Sequence, residues 1–126
     1  MKIFIIDDDE SMLELQSALL AEAGHEVLSS SQSGGALEQI KASKPDCVIT
    51  DIMMPEIDGI QILKQIRDDE NMADMKVIIV SSKSFEFDRR QAMKLGAAGF
   101  ITKPINPETY ISQVDNAFSD QIDMTF

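Results

Sequence analysis

Five side chains that could together handle a phosphoryl group each stand where a short apolar run of the sequence ends. Asp7 and Asp8 directly follow the first such run, Asp51 and Ser81 follow two later runs, and Lys103 follows the last one. If these runs are strands of one parallel sheet, their carboxyl ends meet at one edge, which is where such sheets bind ligands. The sequence therefore predicts that the five side chains lie together.

This combination of residue types predicts a magnesium and phosphoryl site. Neighbouring carboxylates repel one another unless a hard cation lies among them, and oxygen-rich sites with few protein ligands suit Mg²⁺. Lys103 would add a point charge and Ser81 a hydroxyl donor around the oxygens of a transferring phosphoryl group. Asp51 would then be the attacking carboxylate. A purely structural role is the weaker interpretation, because a fold with buried strands gains nothing from gathering three carboxylates and a lysine.

The elements that would position these side chains are five short strands. Three runs are apolar without alternation, which favours strands covered by helices on both faces. Val27-Leu28 is flanked by polar residues and indicates an edge strand. In chain order the predicted strands are residues 3–6, 27–28, 47–50, 77–80 and 99–102.

Helices are predicted after each strand, because apolar residues recur there at helical spacing. The first helix is indicated by Met12, Leu15, Leu19 and Ala23, and the second by Ala36, Leu37 and Ile40. The predicted inner face of the third helix contains Ile62, Leu63 and Ile66, and that of the fifth contains Ile111, Val114 and Phe118.

Helix boundaries are predicted from capping residues. Gly24 and Gly96 are placed to end the first and fourth helices. Asp58 caps the third helix and Gly59 lets it begin close to the sheet. A fifth helix is predicted to begin with Asn106-Pro107. Five strands alternating with five helices imply a parallel sheet with helices on both faces.

Composition and charge exclude several classes of protein. A length of 126 residues suffices for about one domain. Apolar runs fall short of the roughly 20 residues that span a bilayer and of a secretory signal, which predicts a cytoplasmic protein. A net charge of −11 disfavours direct binding to nucleic acid. The single cysteine, Cys47, cannot form an internal disulfide and is predicted to be a buried core residue.

In this combination and order the motifs resemble the receiver domain of two-component response regulators, in particular its single-domain, chemotaxis-regulator-like members. The resemblance runs the whole length of the chain. The motifs are Asp7-Asp8, Asp51 with Met54-Pro55 and Asp58-Gly59, then Ser81, then Lys103-Pro104. The resemblance implies one receiver domain over residues 1–126, with an α/β fold whose five-stranded parallel sheet has the flavodoxin-like order 2-1-3-4-5.

The resemblance also implies the chemistry of the site. Asp51 would accept a phosphoryl group from a phosphohistidine of a sensor histidine kinase or a phosphotransfer protein. Mg²⁺ would be bound by Asp8, Asp51 and the backbone carbonyl of Met53, with Asp7 holding the ion through water. Lys103 would pair with the phosphoryl oxygens, and its peptide bond to Pro104 would be cis.

A switch is implied at two further positions of the family. Ser81 would shift toward the phosphate, and Phe100 would turn from exposed to buried, which remodels the surface of the fourth helix and last strand. Phenylalanine departs from the commoner tyrosine at this position, and weaker coupling is expected because its rotamers differ only in packing. Met53 and Lys83 stand two residues beyond Asp51 and Ser81, and Met53 offers no strong polar group to align water. Self-dephosphorylation is therefore predicted to be slow.

Two other functions are compatible with the sequence. Asp7-Asp8-Asp9-Glu10-Ser11 fits the D-x-D-x-[ST] pattern of haloacid-dehalogenase-like phosphatases, in which Asp7 would be the nucleophile. Those enzymes need a further acidic pair at another strand end, and Asp115, Asp120 and Asp123 are predicted in or after a helix. A receiver-like scaffold that binds partners without phosphorylation is the third possibility.

The expected partners are a kinase or phosphotransfer protein and a downstream protein target. No output domain is seen after the last predicted helix, so a free-standing or an excised receiver is expected. The segment before Phe100 lacks the acidic pair typical of dimerising transcription-factor receivers, which favours a monomer by analogy.

Overall fold

Five parallel strands form one sheet in the order β2-β1-β3-β4-β5, as predicted. The computed structural model describes residues 1–82 and 86–123, with only the backbone described at 86–87 and 119–123; Lys83 lies outside the described residues. The strands are β1 Lys2–Ile6, β2 Glu26–Ser30, β3 Cys47–Asp51, β4 Lys76–Ser81 and β5 Gly99–Thr102. The helices are α1 Glu10–Glu22, α2 Ala36–Ser43, α3 Gly59–Asp68, α4 Glu86–Lys94 and α5 Tyr110–Asp123.

The core has two layers because successive side chains of a strand point to opposite faces of the sheet. In β1, Phe4 and Ile6 pack in the cluster that α2, α3 and α4 cover. Ile3 and Ile5 pack in the second cluster, which α1 and α5 cover. The run is therefore apolar throughout because both faces of the strand are buried, as the absence of alternation predicted.

The start of α3 is built against the end of β3. Asp58 caps the helix, since its carboxylate accepts a hydrogen bond from the Gln61 amide while the Gln61 side chain accepts one from the Asp58 amide. The Gly59 amide donates to the Ile52 carbonyl at 3.0 Å, and a Cβ at position 59 would overlap with the carbonyl oxygen of Asp51. Only glycine permits this approach, so the prediction for Asp58 and Gly59 is confirmed.

The buried face of α1 is centred on a polar residue. Gln16 and Leu20 are its fully buried residues, whereas Met12, Leu15 and Leu19 are partly buried and Ala23 is exposed. The helix is rotated so that a polar side chain faces the core. The spacing of the apolar residues predicted the helix correctly, but it gave no indication that Gln16 is buried.

The predicted start of α5 is three residues too early. Residues 107–109 form a turn, in which the Asn106 side chain accepts a hydrogen bond from the Glu108 amide at 3.0 Å. The Asn106 carbonyl also accepts one from the Tyr110 amide at 2.9 Å. Asn106 thus caps the turn that leads into the helix, and the regular helix begins at Tyr110.

Cys47 is fully buried in β3, and burial raises the pKa of its thiol to about 12. The prediction of a core cysteine is confirmed. Within the described ranges, every helix falls short of the length and apolar character that a membrane span requires.

Candidate functional site

Three predicted carboxylates meet at the carboxyl edge of the sheet. Asp7 and Asp8 follow β1, Asp51 ends β3, and one carboxylate oxygen of each lies within 4.8 Å of the others. Asp7 is fully buried, Asp51 is 8% exposed and Asp8 is exposed. The three carboxylates therefore form a negatively charged cleft, which is open to solvent on the side of Asp8.

Lys103 closes the cleft from the β5 side. Its Nζ lies 2.8 Å from Asp7 Oδ2 and 3.2 Å from Asp51 Oδ2, and its side chain is only 14% exposed. The Lys103 amide donates to the Ser81 carbonyl at 2.8 Å, which anchors the segment after β5 to the end of β4. The peptide bond between Lys103 and Pro104 is cis, as expected from the resemblance. The lysine therefore lies on the same edge as Asp7 and Asp8.

The titration of Lys103 and Asp51 reflects this pairing. Burial opposes the charge on Lys103, but its hydrogen bond to Asp7 and the charges of Asp51 and Asp7 outweigh burial, so its pKa is raised. Burial raises the pKa of Asp51, and Lys103 offsets only part of that shift. The ammonium is thus held charged beside a carboxylate that is costly to ionise without a cation.

Asp51 is oriented by its own backbone neighbourhood. Its Oδ1 accepts a hydrogen bond from the Ile52 amide at 2.8 Å, while its Oδ2 faces Lys103. The close approach of α3 at Gly59 holds the carbonyl of Asp51 in place from behind. The Ile52 amide therefore orients the carboxylate of Asp51, and the packing of Gly59 against the Asp51 carbonyl restrains its backbone.

Asp7 is held by groups that the sequence prediction missed. Its Oδ1 accepts a hydrogen bond from the Asp9 amide at 2.9 Å, and its Oδ2 lies 3.5 Å from Gln16 Nε2. Gln16 in turn accepts a hydrogen bond from the Tyr110 hydroxyl at 2.9 Å. A polar residue on the otherwise apolar face of α1, four positions from Met12 and Leu20, was the available signal for Gln16.

The donor set fits Mg²⁺. Oxygens on one Mg²⁺ ion lie at about 2.1 Å from it, and hence at most about 4.2 Å from each other. Since any two of the three carboxylate oxygens lie within 4.8 Å of each other, two of them need to close by at most about 0.6 Å to bind the same ion. Three carboxylates and one ammonium leave two net negative charges, which a divalent cation neutralises. Mg²⁺ commonly takes one or two carboxylates and keeps several waters, and the exposed Asp8 leaves room for them.

The remaining predicted residues are Ser81, Phe100 and Met53. Ser81 is the last residue of β4 and is fully buried. Phe100 is partly buried in β5 and packs against the core cluster that α2, α3 and α4 cover. The side chain of Met53 is 57% exposed. The structure therefore places Ser81 beside the Lys103 segment and Phe100 at an intermediate exposure.

Comparison with known proteins shows which family the chain resembles. Residues 3–115 match the family described as response regulator receiver domain. The chain is 34% identical over 113 residues to the alkaline phosphatase synthesis transcriptional regulatory protein PhoP of Bacillus subtilis, a match that covers 90% of this chain and 46% of PhoP. It is 32% identical over 114 residues to protein PilH of Pseudomonas aeruginosa, covering 90% of this chain and 94% of PilH.

A solved structure gives the same result for the fold. The chemotaxis protein CheY4 of Vibrio cholerae superimposes with a TM-score of 0.85 at 25% sequence identity, covering 92% of this chain and 97% of that one. The chain thus spans about half the length of PhoP and nearly all of PilH. Residues 3–115, which match the family, include the three carboxylates of the acidic cleft and Lys103.

Proposed function

Because the chain belongs to the response regulator receiver domain family, we propose that Asp51 is its phosphoacceptor and that it works in two-component signalling. The observation that carries this assignment is the placement of the Asp51 carboxylate 3.2 Å from Lys103 Nζ, in a cleft shared with Asp7 and Asp8. A buried carboxylate beside a fixed cation is suited to attack phosphorus, since the cation offsets the charge that gathers on the phosphoryl oxygens.

The proposed donor is a phosphohistidine of a sensor histidine kinase or a phosphotransfer protein. An oxygen of Asp51 forms a bond to phosphorus while the phosphorus–nitrogen bond to the imidazole breaks, and the imidazole leaves with the bonding pair. Lys103 pairs with the phosphoryl oxygens, and the Ser81 hydroxyl donates to one of them. Both groups already lie on the edge where the phosphoryl group would arrive, which lowers the reorganisation that transfer requires.

The proposed cofactor is Mg²⁺. Asp8, Asp51 and the backbone carbonyl of Met53 would hold it directly, and Asp7 would hold it through water. When bound, the ion neutralises the carboxylate cluster and the incoming phosphoryl oxygens. Asp7 is buried and already bonded through both oxygens, which supports an indirect role, while the exposure of Asp8 supports a direct one.

Phosphorylation is proposed to act through Ser81 and Phe100. The phosphate would draw the Ser81 hydroxyl inward, and Phe100 would move from its partly buried position into the core. The surface formed by α4 and β5 would change shape and bind a downstream protein. Apart from its own phosphotransfer and a slow self-dephosphorylation, no catalysis is proposed. The chain is proposed to act as a single cytoplasmic receiver domain over residues 1–126 and as a monomer, without direct contact to nucleic acid or insertion into a membrane.

The test is to incubate the protein with a small acyl phosphate and Mg²⁺ and to map the modified residue by mass spectrometry. Asp51→Asn should abolish the adduct, while Asp68→Asn, an exposed carboxylate of α3, should leave it unchanged. An adduct on Asp7 with continuous turnover would support the phosphatase instead. A chain that forms no adduct would support the scaffold and refute the proposal.

Slow loss of the phosphoryl group is a separate expectation. The exposed Met53 side chain beside the cleft has no strong polar group to align an attacking water. A phosphoryl lifetime of only a few seconds in the isolated protein would contradict it.

A further inference from the structure

We propose that Gln16 and Tyr110 are positioning residues for Asp7, and that they transmit the state of the acidic cleft to the first turn of α5. The inference rests on the proposed function, because it gives Asp7 a role in holding Mg²⁺. It concerns two residues outside the cleft, on α1 and α5, that no motif of the chain singles out.

A continuous series of polar contacts joins the two sites. Lys103 Nζ lies 2.8 Å from Asp7 Oδ2, Gln16 Nε2 lies 3.5 Å from the same oxygen, and the Tyr110 hydroxyl lies 2.9 Å from Gln16 Oε1. Tyr110 is the first residue of α5. Three contacts therefore lead from the cleft to a helix on the outer layer of the fold.

The burial of this series shows that it is not a solvated face. Asp7 and Tyr110 are 0% exposed and Gln16 is 1% exposed. An amide and a phenol inside a core are costly unless they are hydrogen-bonded. Their bonds to each other and to Asp7 meet that requirement, so the three residues form one unit in which each depends on its neighbour.

The direction of the bonds gives each residue a definite task. The Tyr110 hydroxyl donates to Gln16 Oε1, which turns the amide nitrogen of Gln16 toward Asp7. Without the hydroxyl the amide can turn over and present its oxygen to the carboxylate, which is repulsive. Tyr110 therefore fixes Gln16, and Gln16 fixes the oxygen of Asp7 that Lys103 also contacts.

Sharing of that oxygen makes the series responsive. Lys103 holds Asp7 Oδ2 at 2.8 Å and Gln16 approaches it only to 3.5 Å, a long contact. A cation or phosphoryl group that draws Lys103 away, or takes up the charge of Asp7, changes the contact with Gln16. Burial raises the pKa of the Tyr110 hydroxyl, and the negative charge of Asp7 also raises it, so the phenol is within electrostatic reach of the cleft.

The composition of the chain provides a direct readout. Tyr110 is the only tyrosine and there is no tryptophan, so the tyrosine fluorescence and near-ultraviolet absorbance of the whole protein report on this one hydroxyl. The experiment is a titration of the full chain with Mg²⁺, followed by tyrosine fluorescence and, in parallel, by calorimetry. The expected result is a change in tyrosine signal that saturates at the same Mg²⁺ concentration as the heat of binding.

Two variants and a matched control test the roles separately. Tyr110→Phe removes only the hydroxyl and Gln16→Leu removes the amide. Each is expected to weaken Mg²⁺ binding by about 10-fold, the lower end of the effects known for groups that orient metal ligands. Gln16→Leu should also remove the tyrosine response although Tyr110 is retained. Ser17→Ala is the control, because the Ser17 hydroxyl is buried next to Gln16 and has no hydrogen-bond partner in the described part of the chain.

The outcomes divide clearly. A flat tyrosine signal during measured Mg²⁺ binding, or a Gln16→Leu variant that keeps the response, would overturn the inference. If both variants fail to fold, the titration of the unmodified protein still decides it. Phosphorylation of Asp51 is assayed independently, so an adduct together with a silent tyrosine refutes this inference alone, whereas a missing adduct refutes the proposed function. An absence of Mg²⁺ binding overturns both.

Discussion

Replacing Lys103 by methionine isolates the contribution of the ammonium to the cleft. Methionine keeps an unbranched side chain of similar length but removes the charge that lies 2.8 Å from Asp7 Oδ2 and 3.2 Å from Asp51 Oδ2. In the absence of Mg²⁺ and at about pH 7, we expect the free energy of unfolding to fall by about 3 to 4 kcal/mol.

The magnitude follows from the burial of Asp7. Its side chain is 0% exposed, and without Lys103 its partners in the described ranges are the Asp9 amide and, at a longer distance, Gln16. Removing one partner of a buried ion pair costs about 3–5 kcal/mol. The loss of unfolding free energy has an upper limit, because a buried carboxylate that becomes too costly takes up a proton instead. At about pH 7, protonating a carboxyl with an ordinary pKa of 3.8 costs about 4.4 kcal/mol.

The pH dependence has a definite sign. Burial raises the pKa of Asp51 and Lys103 opposes that rise, so in Lys103→Met the folded state binds more protons at Asp51 than the unfolded state does. The destabilisation is therefore largest at neutral pH and shrinks as the pH falls toward about 5. Mg²⁺ can replace the missing charge, so it should stabilise Lys103→Met more than it stabilises the unmodified protein.

The assay is urea unfolding at two pH values, with and without Mg²⁺. Lys64→Met is the control, since Lys64 is an exposed lysine of α3 and its loss should change stability by less than about 0.5 kcal/mol. A loss below about 1 kcal/mol for Lys103→Met, or a loss that grows as the pH falls, would refute the reasoning.

Three further predictions test the surroundings of the cleft. Gly59→Ala should lower the free energy of unfolding by about 1–3 kcal/mol in urea titrations, because its methyl group overlaps with the Asp51 carbonyl; an unchanged midpoint would show that α3 can shift. Asp9→Ala should lower the melting temperature at neutral pH, since Asp9 caps α1. The pKa of Asp9 is lowered by its hydrogen bonds to Ser11 and Met12, so the stabilisation is present above the ordinary pKa of the carboxyl and is lost as the pH falls through the lowered pKa. The melting temperatures of Asp9→Ala and the unmodified protein should therefore differ at neutral pH and converge in acid; a difference that persists in acid would contradict this. Cys47 should react with a thiol reagent no faster than the protein unfolds, because burial raises its pKa to about 12; rapid labelling of the native protein would contradict this.

The sequence by itself determined the sheet and the edge at which the acidic cleft lies. Unbroken apolar runs identify β1, β3 and β4 as strands buried on both faces, and parallel strands bring their carboxyl ends to one edge. Asp7, Asp8, Asp51, Ser81 and Lys103 were therefore predicted together, although Asp7 and Lys103 lie almost a hundred positions apart. The pattern of apolar residues suffices for this prediction because it indicates which segments are strands and which residues follow the carboxyl end of each strand.

Only the tertiary structure decided which side chains touch. The rotation of α1 that buries Gln16, the start of α5 at Tyr110, and the hydrogen bond between these two residues depend on how the helices pack against the sheet and against each other. The same is true of the ion pair between Lys103 Nζ and Asp7 Oδ2. The spacing of apolar residues does not predict a polar side chain within the core, because the energy of that side chain depends on a hydrogen-bond partner that another element supplies.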